Sequence, residues 1–161
     1  MAMGKVYKFH SDVDTDQIIA SQYLLFPSID EMKEHAFESL DSDFAKSVQL
    51  GDFVVAAENF GCGSSREQAP EVIKALGVKA VIAGSFARIF FRNAINNGLL
   101  LIECPALRAD VRDGDEVTVE VGKSITCNGK TYPIGALPEN LLDIINAGGL
   151  VKAMRRRNGL D

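Results

Sequence analysis

The stretch Phe53-Val54-Val55-Ala56-Ala57-Glu58-Asn59-Phe60-Gly61-Cys62-Gly63-Ser64-Ser65-Arg66-Glu67 decides how the rest of the chain is read. Its first five residues form an unbroken apolar run, the pattern of a short strand buried on both faces. Beyond Glu67, the residues Ala69, Val72, Ile73 and Leu76 recur at helical spacing and predict a helix over residues 65–76. A strand, a tight glycine loop and a helix start leave unpaired backbone N–H groups at the positive end of a helix dipole. Such a site favours an anion, here a carboxylate or phosphate.

Working outward, residues 78–83 read as a second strand and 86–97 as a second helix, with Phe86, Ile89, Phe90 and Ile95 on one face. Asn97-Gly98 stops that helix, and residues 99–102 make a third strand. Strand–helix–strand–helix–strand with short turns implies right-handed crossovers and a parallel sheet, whose ligands sit beyond the carboxyl ends of the strands. Pro105 ends this unit. Val117, Val119 and Val121 then alternate with polar residues, and Asn128-Gly129 between two short apolar runs signals a hairpin. Residues 138–147 and 150–157 read as two final helices, the first capped, separated by Gly148-Gly149. The fold class is α/β, a partly parallel sheet flanked by helices with an antiparallel β portion at the C-terminal end, in a single domain over residues 1–161.

Before the opening stretch, residues 5–9 read as a strand and run into His10-Ser11-Asp12-Val13-Asp14-Thr15-Asp16-Gln17. The alternating aspartates suit a calcium loop poorly, since Gln17 stands at its sixth position and Tyr23 at its twelfth. Aspartates closing turns through their own backbone, or an acid orienting catalytic groups, are the other readings. Pro27 cuts off an apolar segment that ends in Tyr23-Leu24-Leu25-Phe26. Two short helices are predicted over residues 28–38, capped by Ser28 with Glu31, and 41–48, capped by Asp41. Neither has a strong core signal, so residues 27–49 read as a mobile helical excursion.

The chain has 161 residues, 47% of them hydrophobic and 24% charged, with a formal net charge of −5. Nucleic acid is excluded as an expected partner by that charge. Arg155-Arg156-Arg157 reads as a solvated helix end. No segment has the length or apolarity of a signal core or membrane span, so a cytoplasmic location and no membrane partner are expected. Three cysteines (Cys62, Cys104, Cys127) and two histidines (His10, His35) give neither a disulfide framework nor a metal-ligand spacing.

Local sequence leaves the glycine loop open to more than one reading. Ser64 with Glu67, and Ser65 with Gln68, have capping-box spacing, so the serines can be helix caps with Arg66 on the surface. Cys62, between two glycines at a helix start, could be a nucleophile of lowered pKa served by His10 or His35, or a small residue packed in a turn.

Four motifs then occur in a telling order: Asp14-Thr15-Asp16-Gln17-Ile18-Ile19, residues 59–67, Ser85-Phe86-Ala87-Arg88-Ile89-Phe90, and Asn97-Gly98-Leu99-Leu100. Together they resemble the swivel domain of the aconitase family, and within it the small subunits of 3-isopropylmalate dehydratase. The resemblance covers nearly the whole chain and is weakest in residues 27–49 and the last two helices. It implies a swivelling β/β/α domain and a split hydro-lyase of leucine biosynthesis that interconverts 2- and 3-isopropylmalate. It implies a large aconitase-like partner subunit carrying a [4Fe–4S] cluster, with no cofactor or metal bound by this chain, and allows a homo-oligomer for the chain in isolation.

Residue by residue, the resemblance makes Ser64 the base that moves the carbon-bound proton, with Asp16 as a second catalytic-site group. Ser65 and Arg66, with Gly63, bind a substrate carboxylate. Tyr23, Leu24, Leu25 and Phe26 read the substrate's variable substituent, with Leu25 where homoaconitases carry an arginine. Arg88 is expected to tie the second helix to the loop. A related hydro-lyase acting on citramalate, dimethylmalate or homoaconitate, and a non-catalytic carboxylate-binding domain, are the alternatives.

Overall fold

The computed structural model describes residues 1–160. Four strands run parallel: β1 (Ala2–Lys8), β2 (Phe53–Val55), β3 (Ala80–Ala83) and β4 (Leu100–Glu103). Three more, β5 (Glu116–Glu120), β6 (Ser124–Cys127) and β7 (Lys130–Pro133), extend the sheet antiparallel, in the order β4-β3-β2-β1-β5-β6-β7. β1 joins the two regimes. Its front half pairs with β5, from Ala2↔Val119 to Lys5↔Glu116, and its back half pairs with β2, from Val6↔Phe53 to Lys8↔Val55. The strand therefore starts three residues before the predicted Lys5, because β5 supplies a ladder that Ala2-Met3-Gly4 gives no sign of.

The unbroken apolar runs serve two cores. Val54, Val81 and Leu101 face one, with Ala69, Val72, Ile73, Phe90 and Ala94 from the helices α4 (Gln68–Ala75) and α5 (Arg88–Asn96). Phe53, Val55, Ala80, Ile82, Leu100 and Ile102 face the other, which β5–β7 close by curling over it with Val117, Val119, Ile125 and Tyr132. Each fully buried Val, Ile or Phe contributes about 1.5–3 kcal/mol, so both faces of the central strands are heavily stabilised. Lys74 on α4 donates to the carbonyls of Asn97 (2.7 Å) and Gly148 (2.8 Å), capping the C-terminal ends of α5 and of α7 (Glu139–Ala147). That ammonium suits the negative ends of both dipoles, and it locks α4 against α5.

The hairpin is as expected: Asn128 (φ 51°) and Gly129 (φ 79°) make the two-residue turn between β6 and β7. Pro105, by contrast, does not only end a unit. It is the first residue of a helix, α6 (Pro105–Asp110), where its fixed φ and missing N–H cost nothing. α7 begins after Pro138 with no side-chain cap. α8 (Leu150–Arg157) ends in the exposed arginines 155–157.

The segment between β1 and β2 departs most from expectation. It holds three one-turn helices, α1 (Thr15–Ile18), α2 (Ile29–Met32) and α3 (Phe44–Ser47), with 3-10 turns over Ser21–Leu25 and Lys33–His35. Ser28 caps α2 as expected, whereas Asp41 accepts from the Asp43 N–H ahead of α3 and leaves that helix without a side-chain cap. The weak core signal is corrected by the burial of Met32, Ala36, Phe37 and Phe44. Phe37 adopts a left-handed φ of 57°, which stops the predicted helix and turns its ring into the core. There it stacks on Phe9 at 4.7 Å and meets Phe44 at 4.8 Å.

Candidate functional site

The loops leaving β1, β2 and β3 lie side by side at the carboxyl ends of the strands and are stitched together by backbone. Phe60 donates to Ser85 (3.0 Å) and accepts from Ala87 (3.0 Å) on one side. On the other, the Gly61 N–H reaches the Val13 carbonyl (2.7 Å) and the Thr15 N–H reaches that of Cys62 (2.9 Å). The glycine loop is therefore the middle strip of three. Gly61 has φ 85°, and a Cβ there would lie 2.1 Å from Cγ of Phe90, so only glycine lets the strip pass under α5.

After Gly63 the chain turns outward. Helix α4 begins at Gln68, three residues later than predicted, with Glu67 at its N-cap and no side-chain cap bond. The capping-box reading thus fails: Ser64 and Ser65 are exposed and cap nothing. The backbone N–H groups of Ser64, Ser65, Arg66 and Glu67 donate to no acceptor among the described residues. Pro70 falls in the first turn, where it needs no donor. The Ser64 peptide is fixed from below by Thr15, whose buried hydroxyl donates to the Ser64 carbonyl at 2.6 Å. Thr15 stood in a motif but drew no role there, because its partner lies 49 residues away.

Arg66 turns back under the loop. Its Nη1 donates to Asp16 Oδ1 (3.1 Å) and to the Ile19 carbonyl (3.0 Å), and its side chain is only 17% exposed. Both bonds use one nitrogen, so Nε and Nη2 of the fork keep their donors for a ligand. Asp16 also accepts from the Ser21 N–H (3.3 Å), which makes it a brace between Arg66 and the next turn. A cavity of about 230 Å³ opens beside these groups, lined by Gly63, Ser65, Arg66, Arg88, Ile89 and Asn93 among others. Arg88 does not tie α5 to the loop: it is exposed and its side chain makes no hydrogen bond or ion pair among the described residues. Ser64 is not part of the cavity wall and sits exposed on the same loop. Unpaired N–H groups, two hydroxyls and two guanidiniums suit a carboxylated ligand.

Residues 28–107 match the pattern of the aconitase C-terminal domain. A 3-isopropylmalate dehydratase small subunit from Lachnospira eligens is 61% identical over 158 residues, covering 98% of this chain and 96% of that one. A protein from Archaeoglobus fulgidus, named 3-isopropylmalate dehydratase small subunit 1, is 52% identical over 161 residues, with 96% and 99% covered. The crystal structure of a 3-isopropylmalate dehydratase chain from Methanocaldococcus jannaschii superposes with a TM-score of 0.93 at 43% identity, covering 99% of this chain and 96% of that one. The chain belongs to the 3-isopropylmalate dehydratase small-subunit family.

In this member of the family, the four apolar residues of the 23–26 turn separate. Tyr23, Leu24 and Phe26 pack against the core, while Leu25 stands 88% exposed. The turn lies across Asp16 from the glycine loop, and Tyr23 and Asp16 share the wall of a second depression of about 280 Å³. Cys62 is not an activated nucleophile. Burial, then the nearby Asp14 and Asp12 carboxylates, push its thiol pKa up instead of down. Neither His10, bonded to the Ser11 carbonyl, nor His35, bonded to Glu38, hydrogen-bonds Cys62. The cysteines also do not fit an iron–sulfur cluster: Cys104 and Cys127 are buried in the second core, and Cys62 lies in the glycine loop. Among the described residues no three His, Cys, Asp or Glu side chains come together to hold a metal ion, and no helix is long and apolar enough to cross a membrane.

Proposed function

We propose that this chain is the substrate-closing half of a cytoplasmic isopropylmalate isomerase, a single swivelling domain that interconverts 2- and 3-isopropylmalate only with a large aconitase-like subunit. The observation that carries the reading is one-sidedness. Ser64 and Ser65 are exposed beside a braced arginine, and Leu25 is exposed on the turn that shares its Asp16 brace, half of a site with an open face. The Lewis-acid [4Fe–4S] cluster of the family is assigned to the large subunit, since the cysteines of this chain cannot gather around one.

In the dehydration direction, Ser64 Oγ takes the proton from the substrate carbon as the hydroxyl leaves the neighbouring carbon, giving 2-isopropylmaleate. In rehydration it delivers a proton to the carbon that lost the hydroxyl, and water adds to the carbon that lost the proton, giving 3-isopropylmalate. A serine hydroxyl is too weak an acid to be ionised unaided. The unpaired N–H groups at residues 64–67, the N-terminal end of α4 and the Arg66 guanidinium stabilise its alkoxide electrostatically, the more so once the partner excludes water. Ser65 and the free nitrogens of Arg66 grip a substrate carboxylate. Leu25 covers the isopropyl group.

The reading is tested by mixing the chain with a cluster-loaded large subunit from its own source. Activity on 2-isopropylmalate is expected from the mixture and not from either chain alone; no complex and no activity overturns the proposal. Leu25→Arg tests specificity. Burying an isopropyl group against leucine is favoured by about 0.8 kcal/mol per carbon, and an arginine forfeits this while offering a partner to a carboxylate tail. Preference for isopropylmalate over a carboxylate-tailed malate, measured as a ratio of kcat/KM, is therefore expected to fall roughly tenfold or more. An unchanged ratio removes Leu25 from the role.

A further inference from the structure

The turn that carries Leu25 has no buried residue of its own, yet it is fastened at its start and at its centre. At its start, the Ser21 N–H is held by Asp16, the same carboxylate that braces Arg66. At its centre a closed ring of three side chains grips Tyr23. The Tyr23 hydroxyl donates to Glu38 Oε1 at 2.5 Å, Glu38 Oε2 lies 2.6 Å from His35 Nδ1, and the His35 ring stacks on Tyr23 with centroids 3.9 Å apart and planes 7° apart. The edge of Phe26 completes the packing on His35 at 5.5 Å. With Glu38 ionised, both oxygens are acceptors, so His35 donates from Nδ1 and Tyr23 from its hydroxyl. None of the three has a task in the proton transfer; the sequence offers His35 only as a base for Cys62 and gives Glu38 no role.

We propose that Glu38 and His35 are positioning residues for substrate specificity: through Tyr23 they set where Leu25 stands relative to Arg66. This rests on the isomerase reading. The geometry supplies the lever, because the link from the Asp16 brace of Arg66 to the alkyl-reading residue is one short 3-10 turn, held at its start by Asp16 and, two residues before Leu25, by Glu38 through Tyr23. Side-chain hydrogen bonds carry what backbone burial does not. The hydrogen bond from Tyr23, then that from His35, holds the Glu38 carboxyl below its ordinary pKa and keeps it an ionised acceptor at neutral pH. The same bond, with burial, raises the Tyr23 phenol and keeps it a donor.

The test uses the two-subunit enzyme. Glu38→Ala is expected to raise KM for 2-isopropylmalate roughly tenfold with kcat within about twofold, and to cut the preference over a methyl-substituted malate by a comparable factor. Glu38→Gln, which keeps an acceptor for Tyr23, should recover much of both. Tyr23→Phe, which loses only the hydroxyl and keeps the stacked ring, should reproduce the Glu38→Ala preference and carries the test where Glu38→Ala fails to fold. A uniform fall in kcat on both substrates with unchanged preference, in Glu38→Ala or Tyr23→Phe, overturns the inference. So does a KM and preference equal to wild type. A wild-type pair that is itself inactive is a failure of the isomerase reading, and that result is distinct from an active wild type matched by its variants.

Discussion

Ser64→Ala in the reconstituted two-chain enzyme is expected to lower kcat by about 10³-fold, within the range that one positioned acid–base group contributes. Complex formation and the melting temperature of the small chain should stay as they were. The hydroxyl is exposed and makes no bond to another described residue, so its loss opens no cavity and orphans no partner. What is lost is the proton carrier at the one point where the peptide is held from below by Thr15 and flanked by unpaired N–H groups. No histidine hydrogen-bonds Ser64, and Cys62 has its thiol pKa raised, so no side chain bonded to this loop stands ready to substitute. Turnover, native-gel assembly and thermal unfolding of the same preparation check this. Full activity would take the base role away from Ser64; loss of assembly would show it to be an interface residue.

Gly61→Ala is expected to be the most damaging single methyl in the chain. Its Cβ would sit 2.1 Å from Cγ and 2.5 Å from Cβ of Phe90, and the residue has φ 85°. Left-handed backbone costs a non-glycine residue about 1–2 kcal/mol, and overpacking in a tight core adds about 1–3 kcal/mol, for a total of roughly 2–5 kcal/mol. The overlap is with the root of the Phe90 ring, which cannot swing aside without moving α5 and the Arg88 end of the cavity. Gly114→Ala is the control. It has φ 90° and nothing within 4 Å of the added Cβ, so only the backbone part of the cost applies. Denaturant unfolding of the two variants separates the terms, and equal destabilisation would mean that the contact with Phe90 relaxes freely. The isomerase activity of Gly61→Ala should fall further than its stability requires, because the strip it distorts ends in Ser64.

Much of the architecture was legible because burial follows local periodicity. The unbroken runs at 53–57, 80–83 and 99–102 read as strands covered on both faces, and two cores cover them. Asn128-Gly129 carried its hairpin because those residues tolerate the left-handed backbone such a turn needs. The segment between β1 and β2 was misread for the same reason. Phe37 and Phe44 enter the core from one-turn helices and a left-handed residue, too short for any period to register. Pro105 reads as a stop in the sequence because a proline both ends and begins helices, and its neighbours do not say which.

Within the site, the sequence determined the parts: a glycine strip, two serines and an arginine at the carboxyl end of a buried strand, and an apolar turn elsewhere in the chain. Only the tertiary structure decided how they are used. Capping-box spacing gave the serines a plausible task, and a helix that starts at Gln68 releases them from it. The brace on Arg66 by Asp16, the Thr15 bond to Ser64 and the Tyr23 bond to Glu38 join residues 15 to 50 positions apart. So did the release of Arg88 into the cavity and the upward push on the Cys62 thiol depend on neighbours from other loops. The physical reason is sheet order. Placing β1 beside β2 and β2 beside β3 brings three loop ends together, and hydrogen bonds between loops obey that juxtaposition, which no window of local sequence contains.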